Sequence, residues 1–122
     1  MIDPADSDQL AKLLRRHRIN LKHRLGQNFL IDPDLRDQVA AATGDQSDDV
    51  VEVGAGVGTL TIALADRHRH VIAVELDRTL IPALREVVAD REGVEVVEAD
   101  ILKVDMAERH PDGGEVVVGN IP

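Results

Sequence analysis

A turn built from three glycines is the part of this sequence whose residue types best suit the binding of a ligand. Gly54, Gly56 and Gly58 follow a short run of β-branched residues and precede a segment with helical spacing. Glycine permits a tight turn, and it lets backbone N–H groups approach a polar ligand closely. The sequence therefore predicts a cofactor-binding turn between a strand and a helix, with a simple structural turn as the alternative.

The spacing of the glycines distinguishes between two classes of cofactor. A dinucleotide fingerprint G-x-G-x-x-G that began at Gly54 would place its third glycine at the position of Thr59. The observed pattern is G-x-G-x-G, and Glu52 lies two residues before its first glycine. This pattern is typical of the first motif of class I methyltransferases, so it favours S-adenosylmethionine over a nicotinamide. A nicotinamide-dependent dehydrogenase is the weaker alternative.

Acidic residues follow the next two predicted strands. Glu75 lies 21 residues after Gly54, close to the spacing of about 20 residues at which an acid binds a ribose diol. A carboxylate can accept from both hydroxyls at once, so we expect Glu75 to bind the ribose and Asp77 to cap the next helix. Asp100 follows the third strand, where it is placed to accept from the exocyclic amine of an adenine. The alternative for Asp100 is a loop acid without a ligand.

The fourth predicted strand is followed by Asn120, Ile121 and Pro122, which suit chemistry on an amine. The lone pair of an exocyclic adenine amine is delocalised into the ring, so this nitrogen is a poor nucleophile. The side-chain carbonyl of Asn120 and a nearby backbone carbonyl can each accept one N–H bond, which aims the nitrogen at a methyl donor. We therefore predict Asn120 and Pro122 as the catalytic motif, with no metal and no protein nucleophile.

The elements that must position these residues alternate between helix and strand. This alternation predicts an α/β fold with a parallel sheet and helices on both faces, truncated after the fourth strand. Residues 1–7 are expected to be a frayed end, and residues 19–30 a loop. The predicted helices are residues 8–18, 32–43, 59–67 and 78–89, and the predicted strands are residues 49–53, 70–74, 94–97 and 115–118.

Charge is distributed unevenly along this acidic chain. The net charge is −9, but residues 12–24 contain six Lys or Arg, two His and no acid. Such a basic segment on an acidic body predicts an RNA-facing arm, and a solvated helix face followed by a basic loop is the alternative. The residues that we expect to contact RNA are Arg15, Arg16, Lys22 and Arg24.

Four segments together resemble the ribosomal RNA adenine N6-dimethyltransferase family of the KsgA type. They are LGQNFL at 25–30, EVGAGVG at 52–58, VELD at 74–77 and GNIP at 119–122. The resemblance implies a Rossmann-like class I methyltransferase fold, divided into a basic helix and loop at 1–30 and a partial cofactor-binding domain at 31–122. It also implies a C-terminal helical domain that this chain lacks.

The resemblance further implies which residues bind S-adenosylmethionine. Asn28 and Leu30 would line the cofactor pocket, Gly54 and Gly56 would lie against the methionine moiety, and Asn120 would lie between the cofactor and the target base. It implies the same roles for Glu75 and Asp100 as their spacing does. The family has an aromatic residue after the final proline, and this chain ends at Pro122. We therefore expect that the chain alone could be inactive.

The expected activity is the dimethylation of two adjacent adenosines near the 3′ end of small-subunit ribosomal RNA during ribosome biogenesis. The alternatives are methylation of large-subunit ribosomal RNA, which gives macrolide resistance, and a non-catalytic module that binds cofactor or RNA. The absence of a signal peptide and of an 18-residue apolar run predicts a cytoplasmic protein. We expect a monomeric parent, and self-association of this chain through the exposed edge of the fourth strand.

Overall fold

The computed structural model describes residues 1–20, 32–44, 49–103 and 116–119. Helices and strands alternate after the second helix, as the sequence predicts. In chain order the elements are α1 (Ser7–Arg16), α2 (Pro33–Ala42), β1 (Val50–Val53), α3 (Thr59–Ala65), β2 (Val71–Glu75), α4 (Ile81–Val87), β3 (Val94–Glu98), a 3₁₀ turn (Ile101–Lys103) and β4 (Val116–Gly119).

The four strands form one parallel sheet in the order β3-β2-β1-β4. Strands β1 and β2 are almost entirely apolar because both faces of a parallel sheet are covered. The chain moves from β1 to β2 and β3 on one side, and β4 lies on the other side of β1. This reversal makes the gap between β1 and β4 a topological switch point, where open α/β sheets bind their ligands. The predicted parallel sheet is confirmed.

The helices pack on one face of this sheet. Strand register places Val50 and Glu52 of β1 on the same face as Val71, Ala73 and Glu75 of β2. Two buried clusters cover that face, one with α1 and α4 and the other with α2 and α3. Within the described ranges, helices are thus confirmed on one face only. On the opposite face Ile101 of the 3₁₀ turn packs against Val51, Ile72 and Val74.

The N-terminal residues are packed, and the prediction of a frayed end at residues 1–7 is wrong. Asp6 caps α1 by accepting from the N–H groups of Asp8 and Gln9. Asp3 donates its N–H to the side chain of Gln9 at 2.8 Å, and its carboxylate pairs with Arg36 of α2 at 2.7 Å. Composition could not indicate this contact because its partner lies 33 residues away.

All four predicted helices are shorter in the structure than their patterns indicate, most clearly the fourth. Helix α1 ends at Arg16, and Arg18 has a left-handed φ of 56° that breaks the helix. Helix α4 begins at Ile81 with Leu80 at its N-cap, so the prediction that Asp77 caps this helix is wrong; Asp77 instead accepts from the N–H of Thr79 in a turn before the helix. In the part of the chain that the structure describes, no helix has the length and apolar content to cross a membrane.

Candidate functional site

The glycine turn lies at the carboxyl end of β1, beside the switch point. The N–H groups of Gly54 and Ala55 both donate to the carbonyl of Val74, at 2.9 and 3.1 Å, so the turn begins against the end of β2. Gly54, Gly56 and Gly58 have φ values of 75°, 61° and 93°. A side chain in this left-handed region costs about 1–2 kcal/mol. The three glycines are therefore required by the backbone conformation of the turn.

Glu75, the last residue of β2, holds the turn through its carboxylate. One oxygen accepts from the N–H of Gly56 at 2.7 Å, and the other accepts from the N–H of Asp77 at 2.9 Å. The residue is buried. A carboxylate offers about four acceptor positions, so each oxygen keeps one for a further donor. Spacing predicted a ligand role for Glu75 and missed this structural one, which only the adjacency of β1 and β2 creates.

Asp100 lies at the same edge of the sheet, two residues beyond β3. Glu98 pairs in register with Glu75, and the N–H of Ala99 donates to the carbonyl of Glu75 at 3.1 Å. One carboxylate oxygen of Asp100 accepts from the N–H of Leu102 at 3.0 Å. The structure therefore brings Asp100 to the strand end that carries Glu75, as the sequence predicts.

Two exposed leucines, neither of them among the residues predicted from the sequence, flank these acids. Leu76 directly follows Glu75 and is 68% exposed, and Leu102 lies two residues after Asp100 and is 90% exposed. Single exposed leucines are common on protein surfaces, so only their position beside Glu75 and Asp100 relates them to the site. The available signal was an apolar residue just beyond each strand-end acid.

Glu52 is the second buried acid of the site and is almost completely inaccessible to solvent. It lies in β1, two residues before Gly54, and its carboxyl group accepts from the hydroxyl of Thr61 in α3. Burial raises the pKa of Glu52 to about 8, and the nearby charge of Glu75 acts in the same direction. The hydrogen bond from Thr61 opposes this rise.

The predicted RNA-contacting residues Arg15 and Arg16 form the last turn of α1. The guanidinium of Arg16 forms an ion pair with Glu86 of α4, and His17 contacts the same carboxylate at 2.7 Å. Hydrogen bonds from Arg16 and, to a smaller extent, from His17 lower the pKa of Glu86. Arg15 is exposed. Arg16 thus has an intramolecular partner that the basic run did not indicate.

Several predicted site residues, and the predicted boundary at residue 30, lie outside the described residues. Gly119 pairs in register with Val53, so the end of β4 lies beside the start of the glycine turn. No group of three or more His, Cys, Asp or Glu with the arrangement of a metal site occurs in the ranges that the structure covers. The predicted residues not described are Lys22, Arg24, Asn28, Leu30, Asn120 and Pro122.

Similar solved structures define the class of protein. The 23S rRNA methyltransferase ErmE is 38% identical and aligns with a TM-score of 0.69 over 78% of this chain and 38% of its own. A dimethyladenosine transferase from Plasmodium falciparum is 28% identical, with a TM-score of 0.66 over 78% of this chain and 34% of its own. M. jannaschii TYW2 in complex with AdoMet is 28% identical, with a TM-score of 0.53 over 58% of this chain and 34% of its own. The fold is that of Rossmann-like methyltransferases.

Sequence comparison then gives the family. The family described as ribosomal RNA adenine dimethylase matches residues 18–122. The Ribosomal RNA small subunit methyltransferase A of Alkaliphilus metalliredigens is 38% identical over 115 residues, which are 90% of this chain and 40% of the relative. This chain belongs to the ribosomal RNA adenine dimethylase family. It spans about 40% of the length of curated relatives that it matches.

Proposed function

We propose that this chain is the cofactor-binding part of an S-adenosylmethionine-dependent enzyme that dimethylates N6 of adjacent adenosines in small-subunit ribosomal RNA. The observation that carries the proposal is the hydrogen bond between the N–H of Gly56 in the glycine turn and the carboxylate of Glu75, beside the switch point of the sheet. The chain that contains this site belongs to the ribosomal RNA adenine dimethylase family. The predicted cytoplasmic location and role in ribosome biogenesis accord with this activity.

The described residues fit the proposed cofactor. Glu75 keeps one acceptor position on each carboxylate oxygen, which matches the two hydroxyls of a ribose. Leu76 and Leu102 offer apolar surface to an adenine ring, and Asp100 has a second oxygen for its amine. Gly54 and Gly56 would lie against the methionine moiety. The sulfonium of the bound cofactor supplies the electrophilic methyl group, and the protein supplies binding and orientation.

Asn120 and Pro122 are proposed to orient the target amine. Gly119 lies beside Val53 at the switch point, and Asn120 follows it in the sequence. The Asn120 side-chain carbonyl and a neighbouring backbone carbonyl would each accept one N–H of the adenine amine. This arrangement holds the nitrogen lone pair toward the methyl group and needs no metal. Asn28 and Leu30 are proposed to line the same pocket.

Ribosomal RNA is the proposed substrate and partner of the basic segment. Arg15, Lys22 and Arg24 would contact phosphates, which are the main electrostatic targets in nucleic acids. Arg16 would do so by exchanging Glu86 for a phosphate, since it is half exposed in its present ion pair. The target base must leave its stack before it can enter the pocket.

Two other functions are distinguishable from the main proposal. The 38% identity to the 23S rRNA methyltransferase ErmE supports methylation of large-subunit ribosomal RNA as a second candidate. That match covers 78% of this chain, whereas the match to the small-subunit relative covers 90%. A non-catalytic binding module would bind cofactor without transfer. We propose a monomeric parent, and self-association of this chain through β4, which is an edge strand of the described sheet.

The proposal is tested first by calorimetric titration of the chain with S-adenosylmethionine, with NADH as the control ligand. We expect saturable binding of the former alone. Binding of NADH alone by folded protein would contradict the proposal. A longer chain that includes residues beyond Pro122 is then expected to methylate small-subunit RNA, whereas transfer only to large-subunit RNA would favour the second candidate. Asn120→Ala is expected to abolish transfer while the cofactor affinity stays within about twofold.

A further inference from the structure

Glu52 occupies a position where an acid would not be expected on packing grounds. It lies in the middle of β1, with Ala73 of β2 on one side and Val118 of β4 on the other. The residues before and after Glu52 in the strand are both valines, and only 1% of the surface of Glu52 is exposed. Burying a carboxyl group costs free energy unless it is paired or neutral. An acid at this position therefore requires a partner that offsets the cost of its burial.

The hydrogen bond of Glu52 connects the two elements on either side of the glycine turn. Its partner is the hydroxyl of Thr61, a fully buried residue in the first half of α3. Glu52 precedes the turn by two residues and Thr61 follows Gly58 by three, so one hydrogen bond joins the strand before the turn to the helix after it. The turn itself contains three glycines with left-handed φ values. Such a flexible segment depends on contacts at its ends for a fixed geometry.

Among the described residues, the charged group that shifts the pKa of Glu52 is the carboxylate of Glu75, and no cation contributes to that shift. Strand β2 contributes the carboxylate of Glu75 on the same face, and the sequences of α3 and of β4 contain no charged residue. A second negative charge beside Glu75 in a buried site is unfavourable. The neutral acid has no such cost, and with Thr61 it can act as both donor and acceptor. Its pKa, raised to about 8, accords with this state at neutral pH.

We propose that Glu52 is a positioning residue that acts as a neutral carboxylic acid, and that its hydrogen bond to Thr61 sets the glycine turn for cofactor binding. The inference rests on the proposed function, because the ligand of the turn is taken to be S-adenosylmethionine. It assigns the two buried acids different roles: Glu75 is the acceptor of N–H and hydroxyl groups, and Glu52 is the uncharged link between β1 and α3.

The test compares S-adenosylmethionine affinity of the chain and of Glu52→Gln, measured by calorimetry between pH 7 and pH 9. Gln is neutral and has the same shape, so we expect its affinity at pH 7 to stay within about threefold of the unsubstituted chain. Above pH 8 the acid loses its proton, so the unsubstituted chain should lose about tenfold in affinity by pH 9 relative to Glu52→Gln. Taking the ratio at each pH removes the titration of the cofactor itself.

A matched pair of variants in α3 tests the hydrogen bond. Thr61→Val removes the hydroxyl that contacts Glu52, and we expect the cofactor affinity to fall by about fivefold or more. Thr59→Val is the control, because the hydroxyl of Thr59 is also buried and has no hydrogen-bond partner among the described residues. The affinity of this control should remain within about twofold. Circular dichroism establishes that each variant is folded.

The outcomes separate this proposal from the proposed function. If the unsubstituted chain does not bind S-adenosylmethionine, the proposed function fails. If it binds, and Glu52→Gln either unfolds, loses more than about tenfold in affinity or follows the same pH dependence, the neutral positioning role is overturned. Equal losses in Thr61→Val and Thr59→Val would also overturn it. The proposal is supported if Glu52→Gln keeps the affinity of the unsubstituted chain at pH 7 and binds about tenfold more tightly than that chain at pH 9.

Discussion

Replacing Glu75 should destabilise the fold as well as weaken cofactor binding, because its carboxylate has two structural partners. It accepts from the N–H groups of Gly56 at 2.7 Å and Asp77 at 2.9 Å, and it is 5% exposed. A hydrogen bond to a charged group contributes about 1.5–3 kcal/mol, and a buried donor left without a partner costs about 1–3 kcal/mol. Glu75→Ala removes both acceptors, so we expect a loss of about 3–5 kcal/mol in the free energy of unfolding.

The isosteric variant Glu75→Gln refines this magnitude. Its amide oxygen can accept from one of the two N–H groups, but its NH₂ group faces the other donor. One bond is therefore lost and the other loses its charge, which predicts a destabilisation of about 2–3 kcal/mol. Urea denaturation followed by circular dichroism measures both variants against the unsubstituted chain. A change of less than about 0.5 kcal/mol in Glu75→Ala would refute the view that these two bonds hold the turn.

Because Glu75 has this structural role, a change in the ligand tests the ribose contact better than a change in the protein. We expect the unsubstituted chain to bind S-adenosylhomocysteine at least about fivefold more tightly than its 2′-deoxy analogue, since one hydroxyl donor to Glu75 is lost. Calorimetry on the same folded sample gives both affinities. Equal affinities would remove Glu75 from the ribose role and leave its contacts with Gly56 and Asp77 unaffected.

Three further changes have expected outcomes. The pKa of Glu52 is raised in the folded state from 4.5 to about 8, so its stabilising contribution is complete below about pH 4.5 and is lost as the pH rises to about 8. Urea titrations should therefore show the free energy of unfolding falling by about 1.4 kcal/mol per pH unit across this window, relative to Glu52→Gln. Parallel pH dependence in the two proteins would contradict this prediction. Gly58→Ala should cost about 2 kcal/mol or more in thermal unfolding, because φ is 93° and the added Cβ would lie 3.0 Å from a methyl carbon of Val87. Asp6→Ala should cost about 1 kcal/mol through the lost α1 cap, and an unchanged melting temperature would show that the cap does not contribute.

Local patterns in the sequence were sufficient to predict the parallel sheet and the strand ends that carry the described site residues. The β-branched runs that end at Gly54 and Glu75 are buried strands, and the carboxyl ends of neighbouring parallel strands meet at one edge. The residues that follow these strands in the sequence, Gly54, Glu75 and Asp100, therefore lie at one edge of the sheet in the structure. These predictions succeeded because each depends on short-range periodicity and on a connection rule that holds for nearly all parallel sheets.

Predictions that depended on long-range partners were less successful. The N-terminal residues were expected to be frayed, but Asp3 pairs with Arg36 in α2. The basic run indicated Arg16 as an RNA contact but not its intramolecular partner Glu86, which lies 70 residues along the chain. A linear pattern gives the type of residue at each position, but it does not give the partner that folding brings to it.

The sequence by itself determined the family, the order of the elements and the residue types at the strand ends, because these are properties of motifs and of local spacing. Only the tertiary structure decided the surroundings of the two buried acids and, through them, the raised pKa of Glu52. Glu52 and Glu75 are both glutamates that border the glycine turn, but one is enclosed beside a hydroxyl and the other is surrounded by backbone N–H groups. Burial, hydrogen-bond donors and neighbouring charge set the protonation of a carboxyl group, and all three depend on the packing of β1, β2 and α3.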